Sequence, residues 1–272
     1  MVRPRRKRSN RKATGGILAI LLVVLVALFL SRKQHNTDNT GNISLELAIP
    51  QFTKSVKSQI IEHTGYTVSY NEQRRNANWV AYELTAHEVN GNEPRDDKFV
   101  PDPLVKGRQA TTEDYKRSGW DRGHLAPAAD MKWSKDAMEE SFYMSNISPQ
   151  NHNLNSGVWK SIEELVRDNA TRYGKLLVAT GPVFTDKKGL GEIGKNKVVV
   201  PNGFYKVLLI FDDGYKGIGF YCENKSGKKK LENYVLTIDE VEEITGIDFF
   251  HRLPDDIEAE VESRVTEDTW GI

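Results

Sequence analysis

Cysteine is almost missing from this chain, Cys222 being its single thiol. One cysteine excludes an internal disulfide framework and a cysteine-based zinc site, and its place in a strand-like run makes a buried thiol the simple reading. Net charge is missing too, 38 basic residues balancing 38 acidic ones. No internal repeat is visible, and beyond residue 50 no Pro/Gly/Ser-rich stretch or charge run marks a linker. With 38% hydrophobic and 28% charged residues, disorder over most of the length is excluded as well. What remains is one folded domain of about 220 residues.

The charge balance hides an asymmetry. Nine basic residues precede residue 34 and all 38 acidic residues follow it, so the remainder carries 29 positive charges against 38 negative. A sequence-independent nucleic-acid binder that works through its overall field is basic. Action on a polyanion would here need a local patch or a metal. The basic residues Arg3, Arg5, Arg6, Lys7, Arg8, Arg11 and Lys12 lead into an uncharged run, residues 13–31, whose strictly apolar part is Ile17 to Leu30. That run predicts a transmembrane anchor, with residues 1–12 cytoplasmic by the positive-inside rule, residues 32–50 a polar tether and residues 51–272 an extracytoplasmic domain. A cleaved signal peptide is the rival reading; the segment ALFLSRKQ lacks the small-x-small pattern that cleavage needs.

Within the domain, NWVAYELTAHEV (78–89) reads as a strand, as does KLLVATGPVF, ended by Gly181-Pro182. FYKVLLIFDDGYKGIGFYCEN reads as a hairpin turning near Asp213-Gly214. Val158, Ile162, Leu165 and Val166 have the spacing of an amphipathic helix that starts near Asn155 or Ser156 and stops before Gly174. Thr237 and Glu240 have capping-box spacing, with Gly246 as a stop. The fold class is α+β, a mainly antiparallel central sheet flanked by helices.

The segment WDRGHLAPAADM (120–131) sets Asp121, Arg122, Gly123 and His124 ahead of an apolar run. Alone, it reads equally as an ion pair, a turn and a satisfied histidine. It is followed by SNISPQNHNLNSGVWKSIEELVR, which holds Asn146, Asn155, Trp159, Glu163 and Arg167. In one helix, steps of four from Asn155 make a slowly rotating stripe carrying an amide, a carboxylate and a guanidinium. Phosphodiester hydrolysis uses such groups: a histidine neutral near pH 7 as base, arginine forks on phosphate oxygens, one amide oxygen on a hydrated Mg2+, and a carboxylate holding a metal-bound water. The structural alternatives are an ordinary Glu163–Arg167 surface pair, Trp159 in the core and Asn155 as a helix cap. Asp121 is expected to orient neighbouring groups, while His63, His87, His152 and His251 have no comparable context.

D-R-G-H, N-I-S-P-Q and L-N-x-x-x-W-x-x-x-E occur here in an order and spacing that resembles the DNA/RNA non-specific endonuclease family, the ββα-metal (His-Me finger) nucleases; the likeness runs from about residue 60 to 260. The resemblance implies His124 as general base, Asn155 as metal ligand, Glu163 as a carboxylate acting through water, Arg122 near the substrate, and Asn146 and Arg167 at further site positions. RDDKFVPDP is similar to another family segment, which makes Arg95 a phosphate-stabilising residue. The cofactor implied is one Mg2+ or Mn2+, and the products carry 5'-phosphate ends. Gly123 is expected to give the substrate close approach. DNA and RNA are the expected substrates, the membrane is met through the N-terminal helix, and a homodimer stays open. Two other readings are a non-catalytic surface protein that captures nucleic acid and a phosphodiesterase for small nucleotides.

Overall fold

In Gly203–Phe211 the side chains alternate: Phe204, Leu208 and Ile210 join one core cluster, Tyr205, Val207 and Leu209 another. The same period of two runs through Lys175–Val183 and through residues 79–84 of Asn76–Thr85, so the central sheet is buried on both faces. The computed structural model describes residues 43–227 and 230–272. The segment read as a membrane anchor lies outside those residues, and among the described residues no helix is long and apolar enough to cross a membrane.

The sheet has seven strands in the order Val235–Leu236, Tyr215–Glu223, Gly203–Phe211, Lys175–Val183, Asn76–Thr85, Thr67–Asn71 and Gln59–Glu62, all paired antiparallel. The expected hairpin closes with Phe211 opposite Tyr215, and Asp213 and Gly214 both have positive φ, as so short a loop requires. Two strand readings change. The expected strand through residue 89 stops at Thr85, which caps a helical turn, Ala86–Val89, in a capping box with Glu88. Conversely, Lys175–Val183 does not end at Gly181-Pro182. Its pairing with Asn76–Thr85 stops at Thr180, so Pro182 has only Phe204 beside it and no second neighbour awaits its missing N–H.

Against one sheet face lies the helix Lys160–Tyr173, through Ile162, Val166 and Ala170. Against the other lie Ile238–Thr245 and Asp255–Glu262, through Ile238, Val241 and Val261. Ile43 and Ala48 also enter this second core, so packing begins where the sequence reads a tether. Thr237 and Glu240 form the expected capping box, and Gly246 closes that helix in the left-handed region.

Candidate active site

Asp121–His124 is a strand and pairs antiparallel with Ile147–Gln150. After that hairpin the chain turns through His152–Leu154 into a kinked π-turn, Asn155–Trp159, and on into Lys160–Tyr173. The result is a ββα unit packed on the sheet. Asn151 caps the first helical turn, accepting from the amides of Asn153 and Leu154. That frees Asn155 from capping, the alternative that competed with ligation. Gly157 has non-helical dihedrals, so the stripe expected from Asn155 is broken. Trp159 goes fully into the core, while Glu163 and Arg167 stay half-buried on the helix beyond.

Asp121 does the orienting expected of it. Its Oδ2 accepts from Asn155 Nδ2 at 2.9 Å and lies 2.9 Å from His152 Nδ1. With its nitrogen tied, Asn155 keeps a carbonyl oxygen that no donor reaches among the described residues. Such a neutral, hard oxygen suits a divalent cation. His152, read as a bystander, belongs to this cluster.

The His124 ring is held by aromatics, at centroid distances of 5.0 Å from Phe142 and 5.5 Å from Phe99. Its Nε2 is buried with no hydrogen-bond partner among the described residues. Burial first, then the neighbouring cations Arg95 and Arg122, push its pKa down to about 3. The imidazole is therefore neutral at physiological pH. The Arg122 guanidinium lies 4.2 Å from the Phe99 ring centroid, and that of Arg95 lies 5.0 Å from Phe142. Both arginines are exposed, while Arg95 also pairs with Asp97. Local cations thus act on the His124 ring in a domain whose overall charge is negative. Beside them, Arg122, Asn155 and Asp121 line a cleft of about 500 Å³ with Trp120 and Lys116.

The Arg95 segment is pinned from behind. Asp102, in the same VPDP run, is fully buried and contacts His63 Nε2 at 3.0 Å; it also accepts from Ser145 Oγ. His63 is thus a structural partner of the segment.

Asn146, expected at a site position, has no free group. Its Oδ1 accepts from Ala126 N at 2.9 Å, and its Nδ2 donates to the carbonyls of Ala126 and Ser141, both at 2.8 Å. It fixes the chain two residues after His124 and so supports the end of that strand. At Gly123 a Cβ would meet Gln150 Oε1 at 2.1 Å, so the glycine makes room for Gln150.

Beneath Glu163 the structure adds residues that the motif reading missed. Arg167 Nη1 donates to Asp130 Oδ1 at 3.0 Å, and Tyr82 OH donates to Asp130 Oδ2 at 2.8 Å. Arg167 is therefore tied to a buried carboxylate. Lys206 is fully buried, donates to the carbonyl of Leu125 at 3.4 Å, and places Nζ 5.0 Å from the Trp159 ring centroid. Burial raises the pKa of Glu163, opposed first by the charge of Lys206. Burial lowers that of Lys206, opposed first by Glu163. Each charge thus opposes the shift that burial imposes on the other. A signal was present: in GFYKVLLIF, a lysine stands at a core-facing position of an apolar strand, as Asp130 does in LAPAADM.

Residues 43–256 match the model of the DNA/RNA non-specific endonuclease family. The chain is 32% identical over 255 residues to mitochondrial endonuclease G of Bos taurus, covering 90% of this chain and 81% of that protein. It is 32% identical over 213 residues to a nuclease of Nostoc sp., covering 74% and 76%. To mitochondrial nuclease EXOG of Xenopus laevis it is 35% identical over 211 residues, which is 72% of this chain but only 59% of that relative's length. The fold is similar to a solved structure of an EndoG/EndoGI complex, titled as the mechanism of EndoG inhibition, with a TM-score of 0.69 and 27% identity over 79% of this chain and 95% of that one. By motif, fold and sequence, the chain belongs to the DNA/RNA non-specific endonuclease family.

Proposed function

We propose that this protein is a metal-dependent endonuclease that hydrolyses phosphodiester bonds of DNA and RNA without strong sequence preference, leaving 5'-phosphate ends. The observation that carries the reading is the ββα unit. It places a neutral His124 on the same short strand as Asp121, whose carboxylate orients Asn155, with Arg95 and Arg122 beside the ring.

Asn155 would hold the divalent cation, Mg2+ or Mn2+, and Glu163 would retain one of its water ligands. Such a cation would supply charge stabilisation during cleavage. His124 removes a proton from the attacking water, while Arg95 and Arg122 neutralise the charge that grows on the phosphoryl oxygens. Contacts confined to phosphate explain weak base preference, since base edges carry the sequence information.

The basic residues 1–12 and the uncharged run 13–31 support an anchored protein with its N-terminus in the cytoplasm and the nuclease domain outside.

The test is plasmid DNA and total RNA incubated with the full chain in detergent, with Mg2+, with Mn2+ and with EDTA, beside His124→Ala. Metal-dependent loss of both substrates is expected, falling at least about 10²-fold in the variant, as removal of a general base usually does. Intact substrates with a folded protein, or near-normal activity in His124→Ala, would sink the reading.

A further inference from the structure

On the sheet face opposite the ββα unit, two helices meet over Tyr215–Glu223, and their facing sides are acidic. Asp239 and Glu242 lie three residues apart on Ile238–Thr245, and Glu258 and Glu262 lie four apart on Asp255–Glu262. Like charges at those spacings repel along each helix. Asp248 on the adjoining strand adds to the field felt by Glu242, Glu258 and Glu262. Among the described residues, no lysine, arginine or histidine forms an ion pair with any of these carboxylates.

Oxygens of Asp239, Glu242 and Glu262 lie within 4.8 Å of one another. Glu262 is 6% exposed, and its Oε1 is fully shielded from solvent with no hydrogen-bond partner among the described residues. A buried carboxylate oxygen without a donor is costly to the fold. Burial and the neighbouring carboxylates push the Glu262 pKa up to about 9, so a proton competes with a cation here, but a proton leaves Oε1 without a partner because no hydrogen bond joins these side chains. Glu242 is already anchored, its Oε1 accepting from Phe249 N at 2.7 Å. The half-buried Glu242 and the exposed Asp239 leave the cluster open to solvent on one side.

We propose that Asp239, Glu242 and Glu262 bind one Ca2+ ion at a site separate from the catalytic one. Oxygens bound to one Ca2+ at about 2.3–2.6 Å from it can stand up to roughly 5 Å apart, and the separations in this cluster lie within that limit. Calcium fits better than magnesium because several protein carboxylates converge here, whereas magnesium retains most of its water. The ion supplies the positive charge that this seam lacks and ties two helices that otherwise repel.

The experiment is calcium titration calorimetry and thermal unfolding on the full chain in detergent, carrying Asn155→Ala so that the catalytic site does not contribute. One Ca2+ per chain and a raised Tm, reversed by EGTA, are expected. Adding Glu242→Gln and Glu262→Gln should weaken the affinity at least about tenfold, because two charged ligands become neutral. Both replacements are nearly isosteric and remove repulsion. Should that variant not fold by circular dichroism, Asp239→Asn, at the exposed end of the cluster, carries the same expected loss of affinity. No heat and no calcium-dependent rise in Tm in the Asn155→Ala protein would overturn the proposal, as would unchanged affinity in the glutamine variant or, if it is used, in Asp239→Asn.

Discussion

Replacing Lys206 by methionine keeps most of the side-chain volume and removes one charge from beneath the site. Lys206 is fully buried, with Nζ hydrogen-bonded to Leu125 O and lying over Trp159, and its charge opposes the rise in the Glu163 pKa. Breaking a buried pair from one side costs on the order of 3–5 kcal/mol when the remaining charge has no escape. Here Glu163 has one, because it can take a proton. The deficit is therefore pH-dependent. The folded pKa of Glu163 is already raised above its unfolded value, so its contribution to stability is present at acid pH and lost as pH rises through the folded value. Removing Lys206 raises that value further, so the variant should lose more stability at pH 8 than at pH 6. We expect a loss of about 2–4 kcal/mol at pH 8, a drop in Tm of roughly 5–15 °C for a domain of this size, and less than half of that at pH 6. Activity should report the same shift if Glu163 has its proposed role, because only the ionised carboxylate would accept hydrogen bonds from a metal-bound water with both oxygens. The acid limb of the pH profile for DNA cleavage should move up by about one pH unit, equivalent to about 1.4 kcal/mol. The assays are thermal unfolding by circular dichroism at both pH values and plasmid cleavage from pH 5 to 9. An equal stability loss at both pH values together with an unmoved acid limb would show that Lys206 only fills space.

Asn146→Ala removes the partners of two Ala126 backbone groups and of the Ser141 carbonyl, so it should cost several kcal/mol, on the order of 3, and lower kcat together with Tm; full activity with a lowered Tm would show that His124 does not depend on this support. Gly123→Ala should destabilise by about 1–3 kcal/mol, because the new methyl meets a Gln150 that is 1% exposed and cannot swing away, and chemical denaturation would show no change if Gln150 had another place to go. Thr237→Ala removes a capping-box acceptor on the far face, and should cost about 1 kcal/mol in denaturant unfolding while leaving cleavage kinetics at the parent value.

The readings that held were those whose cause is local. The Asp213-Gly214 turn, the Thr237–Glu240 box and the Gly246 stop depend on residues a few positions apart, and each was legible from its own segment. The family motif named His124, Asn155 and Glu163 as candidates, because chemistry limits which residue types can serve. What sequence left open was decided by partners distant in the chain. Pro182 stays in its strand because the neighbouring strand's pairing ends at Thr180. Asn155 is freed from capping because Asn151 takes that task and Asp121, 34 residues earlier, holds its amide. Asn146 becomes a support because the chain after His124 folds back onto it. Lys206 stands 43 residues after Glu163, and Glu262 stands 20 after Glu242, so neither the buried pair nor the acidic seam leaves a short-range pattern. The sequence by itself determined the residue types and the local backbone, since these follow from side-chain chemistry and neighbouring dihedrals. Only the tertiary structure decided which charges are buried together, because burial and Coulomb interaction depend on distance in space.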